Sequence, residues 1–348
     1  MAKARVKQIQ KRDLDILHDL YRYRVLTTEQ IKRKHFPDSK YYVNRKLNML
    51  RNSGWITTYS VSRNGRKGKA HHRLTDRGIT QLRKNGYSTE YKADALRVSN
   101  ELLVYLHEAN NIMVELSPYG WEMQDSRETK KRYNMNRGDQ IHGTLISSDG
   151  TEYGFFVLEK GTLEKNMAKV VQEIRATSEG GAGLTHFTIF AKGRDSIHHF
   201  VERAREKKLV TSGSLCIMDY TFGIEYLQSR LSDKSSFKRI FQDERSPIRW
   251  LAPSTKRRFE CIARYQEEEV YFVNLLDTDL MKVEAIQNYL RDLARMQRFG
   301  EKPRRILVLT EPKLKELHAE LLGESRNICY LELSRKQIQS SKRTKGEM

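Results

Sequence analysis

Tyr41, Asn44, Arg45, Asn48 and Arg51 recur at intervals of three and four residues, so a helix carrying them presents all five on one face. With Lys40 they supply cations for phosphates, Asn and Arg for base edges, and Tyr for backbone or sugar contacts. A second basic group follows closely. In Arg63-Asn64-Gly65-Arg66-Lys67-Gly68-Lys69, four cations (Arg63, Arg66, Lys67 and Lys69) surround an Asn-Gly turn. That is the form of a hairpin tip that lies along a minor groove or a phosphate ridge. His71 and His72 are adjacent imidazoles, but neighbours on a strand point to opposite faces, so a shared metal ion is not expected. Residues 1–90 hold 22 Lys plus Arg against 7 Asp plus Glu, an excess of 15, while the whole chain carries +20. A basic excess gathered in one small module is the footprint of a polyanionic partner, and double-stranded DNA is the expected one.

The surrounding pattern predicts the elements that position these groups. Leu14, Ile16, Leu17, Leu20 and Tyr21 form an apolar stripe on a helix from Lys11 to Val25. Thr27-Thr28-Glu29-Gln30 caps a second helix, Glu29 to His35, which Phe36-Pro37 stops. Ser39 is the expected cap of a third helix, Lys40 to Asn52, whose core face is Val43, Leu47 and Leu50. Of Tyr41 and Tyr42, one is expected to pack, because adjacent helical positions diverge by about 100°. Residues 55–61 and 71–75 alternate as the two strands of a hairpin, and Asp76 to Asn85 closes the module with a helix. Three helices followed by a hairpin, with charge on the third helix and the tip, predict a winged helix-turn-helix over residues 8–90.

Residues 95–228 read as an α/β unit. A helix from Arg97 to Leu116 precedes a strand beginning at Trp121, and residues 137–146 and 152–159 form a strand hairpin. A helix Leu163–Thr177, a strand His186–Ala191, a helix Ser196–Lys208 and a strand Leu215–Asp219 follow. That order resembles the restriction-endonuclease-like fold. Nucleases of that fold hold a divalent metal with an Asp and a strand-borne acidic residue, beside a Lys that assists the attacking water. Carried onto this chain, the resemblance implies Asp139, Glu159 and Lys160, with Glu101 or Glu108 as further carboxylates and Mg²⁺ or Mn²⁺ as the metal. Val157 stands where the first strand carboxylate belongs, and no residue separates Glu159 from Lys160. The expected state is therefore non-catalytic and free of cofactor, with a metal-dependent nuclease or nickase using Asp139 and Glu159 as the alternative.

The basic N-terminal module, then Asp139, then Val157-Leu158-Glu159-Lys160-Gly161-Thr162-Leu163 leading into a helix, resembles the replication–relaxation proteins of Gram-positive plasmids and mobile elements. Glu159, Lys160, Gly161 and Thr162 fit that family's acidic-basic-Gly-Thr stretch. Val157 departs from its first acid, and Gly138 stands where proline is usual. The resemblance spans roughly residues 10–220. It implies plasmid replication, mobilisation or related regulation, and with the basic module the expected protein is a sequence-specific DNA-binding protein acting in replication or mobilisation, or in their transcriptional control.

Residues 229–257, with Pro247 and Pro253, read as a linker or edge segment. Beyond them the pattern recurs over 258–335. Residues 270–275 echo 153–158, Thr278 matches Thr162, and Val283, Ile286 and Leu290 match Met167, Val170 and Ile174. A second, diverged α/β unit is expected, with Leu275 and Leu276 where the first has Glu159 and Lys160. The candidate partners of these C-terminal units are a second copy of the chain or a replication or transfer protein. The overall expectation is an α+β, α/β multidomain chain ending in a disordered basic tail, 336–348. Three scattered cysteines exclude a Cys-x-x-Cys zinc site and suit a reducing, cytoplasmic setting. No Gly-rich phosphate loop, no His-hydrophobe-His metal clamp, no leader-like apolar stretch and no run of about 18 apolar residues is present, so motor, relaxase and membrane roles are not expected.

Overall fold

The computed structural model describes residues 5–39, 41–60, 68–181, 183–232, 238, 241, 247–251, 259, 261–298 and 303–342, without the side chains of 294–298. The chain divides into two compact units, Met1–Asp125 and Ser126–Met348.

The first unit opens with α1 (Lys11–Arg22), β1 (Leu26–Thr27), α2 (Thr28–His35) and α3 (Tyr42–Asn52). It continues with β2 (Ile56–Ser60), β3 (Ala70–Leu74), α4 (Asp76–Lys84), α5 (Asn100–Leu116) and β4 (Glu122–Asp125). Ile16, Leu17, Leu20, Ile31, Leu50 and Leu82 are wholly buried and form its core. The first helix ends at Arg22, before the expected Val25, because Arg24 takes φ 68° and turns the chain. The released Leu26 and Thr27 then pair with His72 and His71, which makes a three-stranded antiparallel sheet in the order β1-β3-β2. This short strand was not expected from sequence.

The hairpin register runs from Ile56↔Leu74 to Ser60↔Ala70. The Leu74-Thr75-x-x-Gly78 pattern has a physical reason. Thr75 caps α4 by accepting from Gly78 N at 3.2 Å and donates to Gly54 O at 2.6 Å. A Cβ on Gly78 would stand 2.2 Å from Trp55 O, so only glycine lets α4 seat there. The long helix α5, expected with residues 95–228, makes its polar contacts inside the first unit. Asn110 Nδ2 donates to Val25 O at 2.6 Å, and Gln30 Nε2 donates to His107 O at 3.1 Å and Asn111 Oδ1 at 2.9 Å.

The second unit holds α6 (Ser126–Arg132), β5 (Gly143–Ile146), β6 (Glu152–Leu158), α7 (Glu164–Glu179), β7 (His186–Ala191), α8 (Arg194–Glu206), β8 (Leu215–Asp219) and α9 (Tyr220–Leu227). Then come β9 (Ile248–Trp250), β10 (Cys261–Tyr265), β11 (Glu268–Asn274), α10 (Leu280–Arg298), β12 (Arg305–Thr310), α11 (Lys315–Leu322), β13 (Ile328–Glu332) and α12 (Arg335–Ser340). The two halves repeat one topology. β5 and β6 are antiparallel, and β6, β7 and β8 run parallel through the crossover helices α7 and α8. β10 and β11 are antiparallel, and β11, β12 and β13 run parallel through α10 and α11. Tyr153 pairs with His186 in one half, and Val270 pairs with Arg305 in the other.

One hydrophobic cluster joins the halves. Phe156, Leu158, Ile174 and Ile189 share it with Tyr271, Val273, Ile286 and Val308. Asp279 ties them further, its Oδ1 accepting from Leu215 N on β8 at 3.0 Å.

Three expectations differ from what is observed here. Residues 137–142 are not strand; only Gly143–Ile146 pair, and Asp139 sits in the preceding loop. Residues 126–132 form a helix between the strand expected at Trp121 and the expected hairpin. The tail is ordered through Lys342. Ser334 and Gln337 make a capping box that starts α12, and Arg335 Nε reaches Glu225 at 2.6 Å.

Candidate nucleic-acid interface

The sequence of α3 fixes which side chains face outward. Val43, Leu47 and Leu50 are buried at i, i+4 and i+7, which forces the opposite stripe into solvent. Asn44, Arg45, Asn48 and Arg51 are exposed there, and Tyr41 just before the helix is 77% exposed. The helix begins at Tyr42, where Ser39 Oγ accepts from Tyr42 N at 3.2 Å. Tyr42 is the tyrosine that packs, its ring meeting Phe36 edge-on at 5.7 Å. Within the stripe, Arg51 donates to Asn48 Oδ1 at 2.8 Å. Lys40, Arg63, Arg66 and Lys67 lie outside the described residues. Lys69, at the base of the hairpin, is exposed, with Nζ 3.2 Å from His107 Nε2.

Two carboxylates of this unit, Asp13 and Asp19, are engaged elsewhere. Asp13 is buried 2.7 Å from Lys46 Nζ. Asp19 pairs with Lys34 at 2.9 Å and His35 at 2.7 Å. Burial alone would raise the Asp19 pKa, but the His35 bond and the Lys34 charge together hold it below the usual carboxylate range. Among the described residues, no ion pair engages Arg45, Arg51 or Lys69. The two histidines diverge as expected. His71 stacks on Tyr59 at 5.7 Å, while His72 bridges Thr28 Oγ1 at 2.8 Å and Thr58 Oγ1 at 2.9 Å. Burial pushes the His72 imidazole down to about 4, so it sits neutral between two hydroxyls as a structural link.

Lys46 was missed by the sequence reading. It occupies i+3 from Val43 and i−4 from Leu50, on the buried stripe, which is the signal that separates it from its neighbour Arg45. Its partner is distant in sequence and was not legible.

The second unit separates the residues implied by the nuclease resemblance. Asp139 lines an open cleft of about 470 Å³ with Tyr133, Asn136, Lys169 and Glu173. Its Oδ2 accepts from Asn136 N at 2.8 Å. Glu173 accepts from Gln140 N with both oxygens, at 2.8 and 2.7 Å. Burial raises its pKa to about 7, and the Asp139 charge adds to the rise. Glu159 instead pairs with Lys192 at 2.9 Å, and Lys160 is exposed. Glu101 and Glu108 lie on α5 in the first unit. Among the described residues, no group of three or more His, Cys, Asp or Glu is arranged to hold a metal ion. With Asp139 and Glu159 on separate partners, the donor set does not fit a shared divalent ion.

The Glu159-Lys160-Gly161-Thr162 stretch is a capped turn. Thr162 N and Oγ1 both donate to Glu159 O, at 3.1 and 2.7 Å, and Gly161 takes φ 73°. Thr278 N donates to Leu275 O at 2.8 Å in the matching turn of the other half. That bond sets Leu275 opposite Glu159, as the match of Thr278 to Thr162 has it, one residue out of step with the echo of 153–158 in 270–275. Among the described residues, no helix is long and apolar enough to cross a membrane.

No curated protein and no solved structure gives a significant match to the chain. One family model does match, described as replication-relaxation, over residues 17–176. The match runs from the second half of α1 through most of α7 and includes both the exposed face of α3 and the Glu159–Thr162 turn. Over residues 17–176, this chain is similar to the replication-relaxation family.

Proposed function

We propose that the first unit is a winged helix-turn-helix that binds double-stranded DNA, with α3 entering the major groove and the β2–β3 hairpin following the backbone. The observation that carries this reading is the α3 stripe. Tyr41, Asn44, Arg45, Asn48 and Arg51 are exposed together while the carboxylates Asp13 and Asp19 are buried and paired elsewhere. Asn and Arg read base edges, and cations at the rim position the helix on phosphates. The replication-relaxation match supports a role in plasmid replication or mobilisation, with control of transcription as one form of it. The repeated topology of the second unit suits two diverged restriction-endonuclease-like halves that serve as a scaffold or partner surface, either for a second copy or for another replication protein.

The test is selection of duplexes bound by the full chain, then comparison of the selected duplex with a mixed-sequence one. Arg45→Ala and Asn44→Ala are each expected to lose about 1–3 kcal/mol of discrimination between the two. Equal loss on both duplexes would overturn the assignment of base reading to α3.

A further inference from the structure

The basic stretch before α1 is not free. Val6 N donates to Ser53 Oγ at 2.9 Å, at the C-terminal end of α3. Gln10 Oε1 accepts from Lys46 Nζ at 3.3 Å, two turns back along the same helix. Residues seven apart return to within about 20° of one side of a helix, so Ser53 and Lys46 mark one flank of α3. The two anchors span about 10.5 Å of helix, and the four residue steps from Val6 to Gln10 reach at most about 14 Å. The stretch therefore runs beside α3 and antiparallel to it, with a bend at Lys7 and Gln8. Arg5 and Lys7 lie on either side of the Val6 anchor, and both are exposed. Among the described residues no ion pair engages Arg5 or Lys7, and the carboxylate nearest in sequence, Asp13, is fully buried against Lys46.

We infer that residues 5–7 form a basic arm laid along the flank of α3, whose Arg5 and Lys7 hold phosphates of duplex DNA beside the groove that α3 enters. The arm extends the α3 reading and rests on it. Its contacts are to the backbone, so they add affinity without sequence preference. Arginine and lysine here act as point cations that displace condensed counterions, each steepening the salt dependence by about 0.9.

The experiment measures binding of the full chain to a short mixed-sequence duplex across a salt series. Arg5→Gln/Lys7→Gln is expected to make the slope of log affinity against log salt shallower by about 2, and to weaken binding about thirtyfold near 0.15 M salt. Its thermal midpoint should match the wild type, since both side chains are exposed. Ser53→Ala removes the anchor and no charge, and is expected to weaken binding while keeping the slope. An unchanged slope in the double variant, beside a salt-sensitive wild type, would overturn the arm. Wild-type affinity in Ser53→Ala would overturn its anchoring. A wild type with no salt-sensitive affinity would instead overturn the α3 reading beneath both.

Discussion

Lys46 and Asp13 are the buried ion pair behind the α3 face, and removing one charge should be costly. Their side chains are 4% and 0% exposed and meet at 2.7 Å. Breaking such a pair from one side leaves an uncompensated charge and costs about 3–5 kcal/mol. Two features place this pair at the lower end. The ammonium approaches Asp13 Oδ1 off the hydrogen-bond axis, so it acts there chiefly as a charge. Asp13 Oδ2 also keeps the Gln10 N bond at 3.1 Å when Lys46 is gone. Lys46→Met, which preserves most of the volume, is therefore expected to destabilise the first unit by about 3 kcal/mol. With a urea m-value of about 2 kcal/mol per M, the midpoint of that unit's transition should fall by about 1.5 M. Asp13→Leu/Lys46→Met removes both charges together, and the remaining cost is the α1 cap, about 1 kcal/mol. Urea unfolding of the two single variants and the double completes the cycle; with each single variant costing about 3 kcal/mol and the double about 1, the expected coupling is about 5 kcal/mol. If Lys46→Met stays within about 0.5 kcal/mol of wild type, the pair is not the buried, dry contact described.

The other expectations concern packing, protonation and chemistry. Gly78→Ala should cost about 1–3 kcal/mol in thermal unfolding, because its Cβ would meet Trp55 O at 2.2 Å; a neutral result would show that α4 sits farther from Trp55. His72, His142 and His318 are held down to about 4, 3 and 4, chiefly by burial. The unfolded imidazoles protonate near 6.5, so unfolding takes up protons below that value; stability is full above about pH 6.5 and falls toward about pH 4, by up to about 1.4 kcal/mol per pH unit for each histidine. Glu173, raised to about 7, opposes this, since its contribution is full at low pH and is lost as pH rises through that value. Equal unfolding free energies at about pH 7 and pH 5 would contradict the buried neutral histidines. With Mg²⁺ or Mn²⁺, supercoiled DNA should show no nicking that depends on Asp139, because Asp139 and Glu159 take separate partners; nicking abolished by Asp139→Ala would restore the nuclease reading.

Periodicity made α3 legible. Val43, Leu47 and Leu50 set its buried face, and the charged stripe followed by subtraction. The echo of residues 153–158 in 270–275 was also legible, and the two sheets share one topology. Other elements were hidden for particular reasons. β1 has two residues, too few for alternation to register, and it exists because β3 offers a partner. α6, Ser-Arg-Glu-Thr-Lys-Lys-Arg, has no apolar stripe and buries only Thr129. Its order comes from contacts with β5, such as Thr129 Oγ1 to Thr144 Oγ1 at 3.0 Å. α12 did carry a local signal, the Ser334–Gln337 capping box, which the surrounding basic composition masked. Asp139 and Glu159 suggested a common site in sequence, but Asp139 accepts from Asn136 N within its own turn and Glu159 pairs with Lys192, a partner distant in sequence that leaves no trace in a single chain.

The most direct test of the DNA-binding account is the salt dependence of duplex affinity for the full chain and for Arg45→Ala/Arg51→Ala. Arg45, Arg51 and Lys69 alone predict a wild-type slope of about −3 or steeper, shallower by about 2 in the double variant. A wild-type slope near zero, or the same slope in both proteins, would contradict the placement of these cations against the duplex.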